Sequence, residues 1–248
     1  MFQRRAPAPD STREDELRLA RIQRGFLSKE TAPYRHLLPR RVLRILDKMV
    51  YDESFLGATD FSALSILCTL VKLKQPDRVL QLGTYIGFSA IVLAGVLATN
   101  SKPGKLWTVE PNAKAHDKAR RYAQSAGITN LMEFLDGSSD DPEIHEKLRR
   151  SGPFDLVYID SSHEYHQTLK ELKNYVEDEA ITTTSTVVTL HDAGTQAACF
   201  DPTDCGGVRQ ALEEWFNCDD NRSRYMLFIF EPPMYPNPCG LGVIRKIY

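Results

Sequence analysis

No run of residues in this 248-residue chain is apolar for long enough to cross a bilayer, and its first residues lack the apolar core of a secretory signal. Both absences predict a soluble cytoplasmic protein. Early arginines invite an organelle-import reading, but Asp10, Glu14, Asp15 and Glu16 oppose that pattern. Cysteine is sparse: the five residues at 68, 199, 205, 218 and 239 form no close metal-binding pair, and their odd number leaves at least one thiol outside any intrachain disulfide. A reducing compartment is therefore expected. Charge of one sign is missing as well, because 31 Lys and Arg balance 33 Asp and Glu to a net of −2. Without regularly placed aromatics among its basic residues, the chain predicts no nucleic-acid partner, and it shows no membrane-binding segment. Internal repeats and low-complexity tracts are also absent. So is the three-glycine spacing of a dinucleotide-binding turn, which makes a nicotinamide cofactor a secondary choice.

What is present begins with a local imbalance. Residues 1–50 hold 12 Lys or Arg against 6 Asp or Glu. After a tail at 1–12, residues Glu14 to Phe26 and Pro39 to Tyr51 place apolar side chains on broad helical faces, with Pro33 and Pro39 punctuating the link. Residues 1–59 are thus expected as an N-terminal tail and helical cap or oligomerisation segment before a main domain at 60–248. The segment has three open roles: a lid over a pocket, the interface of a homo-oligomer, or ordinary packing.

From Asp60 onward the chain alternates strands and helices. A helix over Asp60 to Leu73 precedes predicted strands at Arg78 to Leu82, Lys105 to Val109, Leu131 to Leu135, Phe154 to Ile159 and Thr186 to Leu190. Helices fall between them at Phe88 to Leu97, Asn112 to Ser125, Pro142 to Arg150 and Tyr165 to Glu179. This rhythm predicts a doubly wound α/β sheet. A helix over Gly207 to Phe216 and strands at Tyr225 to Phe230 and Gly242 to Ile247, joined through Pro232, Pro233, Pro236 and Pro238, predict a closing antiparallel hairpin. Met234 and Tyr235 in that loop line a pocket mouth or pack on the surface.

The stretch Val79 to Gly87 is the most informative. An apolar strand runs into two glycines just before a helix, where backbone can approach a ligand and the first helical turn offers unpaired amides. Asp160 and Asp192 end separate predicted strands, so a parallel sheet brings both to one ligand-facing edge. Together they can hold a divalent cation, or they serve as structural or solvent-facing carboxylates.

The ordered set Leu80 to Gly87, Thr108 to Pro111, Phe134 to Ser139, Tyr158 to His163 and Leu190 to Asp192 resembles the class I S-adenosylmethionine-dependent methyltransferases. The likeness is to small-molecule O-methyltransferases of the macrocin, catechol and cephalosporin-biosynthetic groups, and it covers about residues 60–248. It implies a Rossmann-like fold: a mostly parallel seven-stranded sheet with a C-terminal antiparallel hairpin and an N-terminal helical appendage. It implies that Gly83, Thr84, Tyr85, Gly87 and Ser89 surround the amino-acid end of S-adenosylmethionine, that Glu110 binds the ribose hydroxyls, that Gly137 and Ser138 lie near adenine with Asp136 adjacent, and that Asp160 borders the cofactor. A carboxylate suits the ribose because it accepts two hydrogen bonds from the sugar. Gln81 departs from the acidic residue many relatives carry there.

The same resemblance implies methyl transfer to a hydroxylated small molecule, such as a secondary metabolite, with His163 as the base that accepts the hydroxyl proton. Asp160 and Asp192 then orient the substrate directly or through a divalent ion such as magnesium, whose preferred ligands are oxygens. His191 stands where relatives often carry an acid, and imidazole suits transition metals better. The pattern leaves open an altered metal, fewer protein ligands, or no metal, with His191 orienting Asp192 or touching substrate; His166 is a reserve base. Two further readings remain: a noncatalytic binding or structural protein that retains the cofactor fold, and a nicotinamide-dependent oxidoreductase.

Overall fold

The strand that opens the sheet, β1 (Arg78–Leu82), is exposed only at Arg78, because Val79 to Leu82 lie between neighbouring strands and beneath helices. The computed structural model describes residues 33–52, 55, 59–231 and 239–248. The expected tail at 1–12, the helix Glu14 to Phe26 and the loop from Pro232 to Pro238, with Met234 and Tyr235, lie outside the described residues.

Beyond β1 come β2 (Lys105–Glu110), β3 (Met132–Asp136), β4 (Leu156–Ile159), β5 (Val187–His191), β6 (Tyr225–Phe230) and β7 (Leu241–Lys246). They form one sheet in the order β3-β2-β1-β4-β5-β7-β6. The first five strands pair in parallel, and β7 runs antiparallel between β5 and β6. The expected architecture, including the closing hairpin, is the observed one.

Helices α1 (Arg40–Met49), α2 (Phe61–Lys74), α3 (Phe88–Leu97) and α4 (Ala113–Ala126) contribute to one hydrophobic cluster, and α5 (Pro142–Ser151) and α7 (Gly207–Asn217) to another. All ten residues of α3 are buried, which is why it is apolar around its whole circumference. Val42, Ile45, Leu46 and Met49 of α1 join the same cluster, so the described part of the N-terminal segment is packed into the core. A Cβ on Gly95 would come within 2.8 Å of Leu38 Cδ2 and 2.9 Å of Val42 Cγ1; the missing side chain lets the two segments meet.

The helix expected over Tyr165 to Glu179 is shorter. Regular helix α6 covers Tyr165–Glu171, and Leu172–Val176 continues with π-type pairing in which Glu177 N–H donates to the Leu172 carbonyl. Asp178 then accepts from Ala180 N–H, a local side-chain bond that competes with continued helix. Strand β4 begins two residues later than expected. Asp155 still bonds through its backbone to Arg78 and Val187, and its side-chain Oδ2 accepts from the Asp77 and Arg78 amides. Short helical turns at Pro33–Leu37 and Thr195–Phe200, and α8 (Asp219–Arg224), were not expected. No helix among the described residues is long and apolar enough to cross a membrane.

Candidate active site

Strand order reverses between β1 and β4, since β1 leads outward to β2 and β3 while β4 leads the other way to β5. The carboxyl ends of β1 and β4 therefore border a crevice of the kind that takes ligands in open α/β sheets. Leu82 pairs with Val109 on one side and Ile159 on the other, so Gly83 follows between Glu110 and Asp160. That position tolerates no side chain: φ is +82° and a Cβ would fall 1.9 Å from the Asp160 carbonyl oxygen. At Gly87, φ is +90° and a Cβ would meet Ala119 Cβ at 2.7 Å. These glycines thus fit the loop against β4 and α4, a packing role added to the ligand approach expected of them.

Glu110 fastens the same loop. Its Oε2 accepts from the amides of Thr84 at 3.2 Å and Tyr85 at 2.6 Å, and its Oε1 accepts from Asn112 N–H at 2.9 Å. A carboxylate offers about four acceptor sites, so capacity remains for a ligand. Gln81 Nε2 donates to the Gly83 carbonyl at 2.8 Å and to Ser89 Oγ at 2.9 Å, giving the uncharged residue a structural task.

Two cavities meet here. One, of about 370 Å³, is lined by Thr84, Tyr85, Ser89, Asp160 and His163 among others. The second, of about 290 Å³, is lined by Ser138, Ser139 and Gln167. Gly83, Glu110 and Ser161 border both, so the pair forms one elongated groove with a carboxylate at its middle. Behind the second cavity lies buried Glu171, whose Oε1 accepts from the hydroxyls of Ser139 and, at 2.6 Å, Ser161. Burial lifts its carboxyl to about 7 despite those hydrogen bonds.

Charged side chains gather at the ends of β4 and β5. Asp160 Oδ2 accepts from the hydroxyls of Thr59 and Tyr158, each at 2.8 Å, which turns Oδ1 toward His191 Nδ1 at 3.2 Å. His191 Nδ1 also lies 3.1 Å from Asp192 Oδ2, while its Nε2 faces Asp60 Oδ2 at 3.0 Å. His163 Nδ1 reaches the same Asp192 oxygen at 2.7 Å. Burial opposes the charged form of His191, but Asp192 and Asp160 outweigh it and hold the imidazole well above its usual range. Asp192 is driven low against the effect of burial by the two histidines, and the hydrogen bond to Asp192 raises His163. Asp192 adopts φ +58°, a left-handed conformation uncommon outside glycine.

Asp160, His191 and Asp192 each bring a donor atom within 4.8 Å of the others, as do Asp60, His191 and Cys239. The first set fits a divalent ion: its Nδ1–oxygen separations are those of ligands sharing a small cation, and the spare atoms of Asp160 and His191 are already tied down behind it. Cys239, a buried thiol raised far above its usual range by burial, suits a ligand role less well.

Residues 80–193 match a family model described as a methyltransferase domain. A catechol O-methyltransferase of Niastella koreensis is 34% identical over 125 residues, covering 44% of this chain and 54% of that protein. A rhamnosyl O-methyltransferase of Mycobacterium bovis is 34% identical over 105 residues, 40% of each chain. The chain thus matches about half the length, or less, of these curated relatives. An O-methyltransferase from Bacillus cereus, solved in complex with SAH, superposes with a TM-score of 0.70 at 16% identity, covering 93% of this chain and 99% of that one. The chain shares the fold of that protein.

Around this crevice most of the expected residues converge. Gly83, Thr84, Tyr85, Ser89, Glu110 and Asp160 line the first cavity, and Ser138 lines the second. Gly87 and Gly137 shape turns instead: Gly137, at φ +153°, packs its α-carbon over Ile144 while its amide donates to the Glu110 carbonyl. Asp136 is bonded to His116 and Arg120, away from a ligand-binding role. His166 is exposed on α6. Sequence reasoning overlooked Thr59, Asp60, Tyr158 and Glu171 as parts of the site. Only Asp60 carried a signal, as the residue before an apolar helical run.

Proposed function

We propose that this protein is an S-adenosylmethionine-dependent O-methyltransferase acting on a hydroxylated small molecule, with residues 60–248 as the catalytic domain. The observation that carries this reading is the position of His163, held by Asp192, on the wall of the cavity beside the Gly83–Ser89 loop. The names of the relatives and the complex of the Bacillus cereus protein with SAH support it. When bound, S-adenosylmethionine supplies the methyl group, whose bond to sulfur breaks as its bond to the acceptor oxygen forms.

The chain's residues then have separate tasks. Glu110 offers its remaining acceptor site to a ribose hydroxyl, and Ser138 and Ser139 border the nucleoside end. Asp192 accepts the Nδ1–H of His163 and so leaves Nε2 to take the hydroxyl proton as the oxygen attacks. Asp160, through Oδ1, and His191, through Nδ1, would hold a divalent ion together with Asp192 Oδ2. Such an ion supplies positive charge that orients the acceptor oxygen and offsets its developing negative charge.

Calorimetry with S-adenosylmethionine and NAD side by side tests the cofactor. Selective binding of S-adenosylmethionine followed by methyl transfer to catechol or glycoside acceptors is expected. Selective NAD binding with hydride transfer would overturn the proposal in favour of an oxidoreductase, and cofactor binding without turnover across a broad acceptor panel would favour a noncatalytic protein.

A further inference from the structure

We propose that Asp60 is a positioning residue that fixes the tautomer of His191, so that Nδ1 presents its lone pair to a transition-metal ion between Asp160 and Asp192. The inference rests on the metal reading above and deepens it. Asp60 divides its carboxylate between two tasks. Its Oδ1 caps α2 by accepting from the amides of Ser62 at 2.7 Å and Ala63 at 3.1 Å. Its Oδ2, 3.0 Å from His191 Nε2, can only accept, so it holds a proton on that nitrogen.

Without an ion, Nδ1 donates toward Asp160 and Asp192; an ion entering between them would displace that proton, and with Nε2 committed as a donor Nδ1 is the ring's only ligand atom. It faces Asp160 Oδ1 at 3.2 Å and Asp192 Oδ2 at 3.1 Å, across a small cavity that all three residues line together with His163. The arrangement of carboxylate, imidazole and ion is the one that orients metal-binding histidines and raises their basicity. A site with one imidazole among its donors favours zinc, iron or nickel over magnesium or manganese, which suit oxygen ligands. The Asp60–His191 contact therefore bears on which ion is bound as well as on how tightly.

Asn at position 60 separates the two tasks. Its amide oxygen keeps the helix cap, for which Asn is as good as Asp, and this leaves the NH2 group facing Nε2. That donor requires Nε2 to be the acceptor, so the proton stays on Nδ1 and the ligand atom is lost. Purified wild-type and D60N proteins, stripped of metal, would be titrated with Zn²⁺, Mn²⁺ and Mg²⁺ by calorimetry. Imidazole ¹⁵N NMR of histidine-labelled protein would report the tautomer of His191, assigned with H191Q.

The expected result is Zn²⁺ on Nδ1 of wild-type His191 with Nε2 protonated. D60N should bind Zn²⁺ about 10–100-fold more weakly, carry its proton on Nδ1, and lose little Mg²⁺ affinity. An unfolding midpoint near that of wild type in D60N confirms an intact fold. Zn²⁺ coordination through Nε2, or equal Zn²⁺ affinity in the two proteins, would overturn the role of Asp60 alone. Failure of the wild-type protein to bind any of the three ions would overturn the metal reading and this inference together, leaving the cofactor assignment to its own test.

Discussion

Along β1 the crevice is walled mainly by backbone: Gly83 fits against the Asp160 carbonyl, and Glu110 gathers the amides of Thr84 and Tyr85. Across from it, at the ends of β4 and β5, the wall is made of side chains, a chain of contacts running from Asp160 to His191, from His191 to Asp192 and from Asp192 to His163. The difference separates what a substitution can damage. A changed atom on the first wall meets fixed backbone and acts through sterics. On the second it alters charge and proton placement while the sheet beneath stays in place.

The sharpest separation is expected at the charged wall. His163→Ala removes the proposed proton acceptor but no packed core atom, so methyl transfer should slow by about 10²–10⁴-fold while S-adenosylmethionine affinity and unfolding midpoint stay near wild type. Single-turnover rates measured beside calorimetry check this, and unchanged rates would remove His163 from the mechanism. Gly83→Ala attacks the opposite wall. Its Cβ cannot coexist with the Asp160 carbonyl and the positive φ adds strain, so stability should fall by about 2–5 kcal/mol in denaturant unfolding, with cofactor binding lost alongside.

Glu110→Gln tests how the backbone wall is fastened. It keeps the shape but replaces a charged acceptor of three amides, each such bond being worth about 1.5–3 kcal/mol. Cofactor affinity should drop about 10–100-fold by calorimetry, with stability falling by about 1.5–3 kcal/mol because the new NH2 faces one of those amide donors. If stability collapsed and affinity in the folded fraction did not change, the residue would be a loop fastener with no ribose contact.

The two walls also differed in how far they could be read beforehand. The β1 loop announces itself locally, as an apolar strand followed by glycines and a helix, and every main strand lay within about two residues of its expected position. Conformational demand at a glycine is written at that glycine. The charged wall was legible at Asp160, His163, His191 and Asp192, because each ends or follows a strand. Its supports were not: Asp60 meets His191 across 131 positions and Thr59 meets Asp160 across 101, and no periodicity spans such distances. The π-type end of α6 and the short turn at Thr195–Phe200 escaped for a different reason, being too brief to show a repeating face.

Glu171 belongs to neither wall and links the loops after β3 and β4 that border the second cavity, through Ser139 and Ser161. Its Oε2 is buried without a hydrogen-bond partner among the described residues, so ionisation places a charge that only the two hydroxyls at Oε1 answer. Burial raises its folded-state value to about 7, above the ordinary glutamate value that the unfolded chain would show. The folded state then binds the proton more tightly, and stability falls as pH rises from the unfolded value through the folded one. Between pH 5.5 and 7 this single group should cost about 1–2 kcal/mol. Glu171→Gln keeps an acceptor for the two hydroxyls and cannot ionise. Relative to wild type it should therefore gain stability steadily over that interval in urea unfolding, with the gain levelling off above pH 8. A difference between the two proteins that stayed constant with pH would mean that Glu171 is already ionised in the fold, and the second cavity would then have a charged floor like the wall beside it.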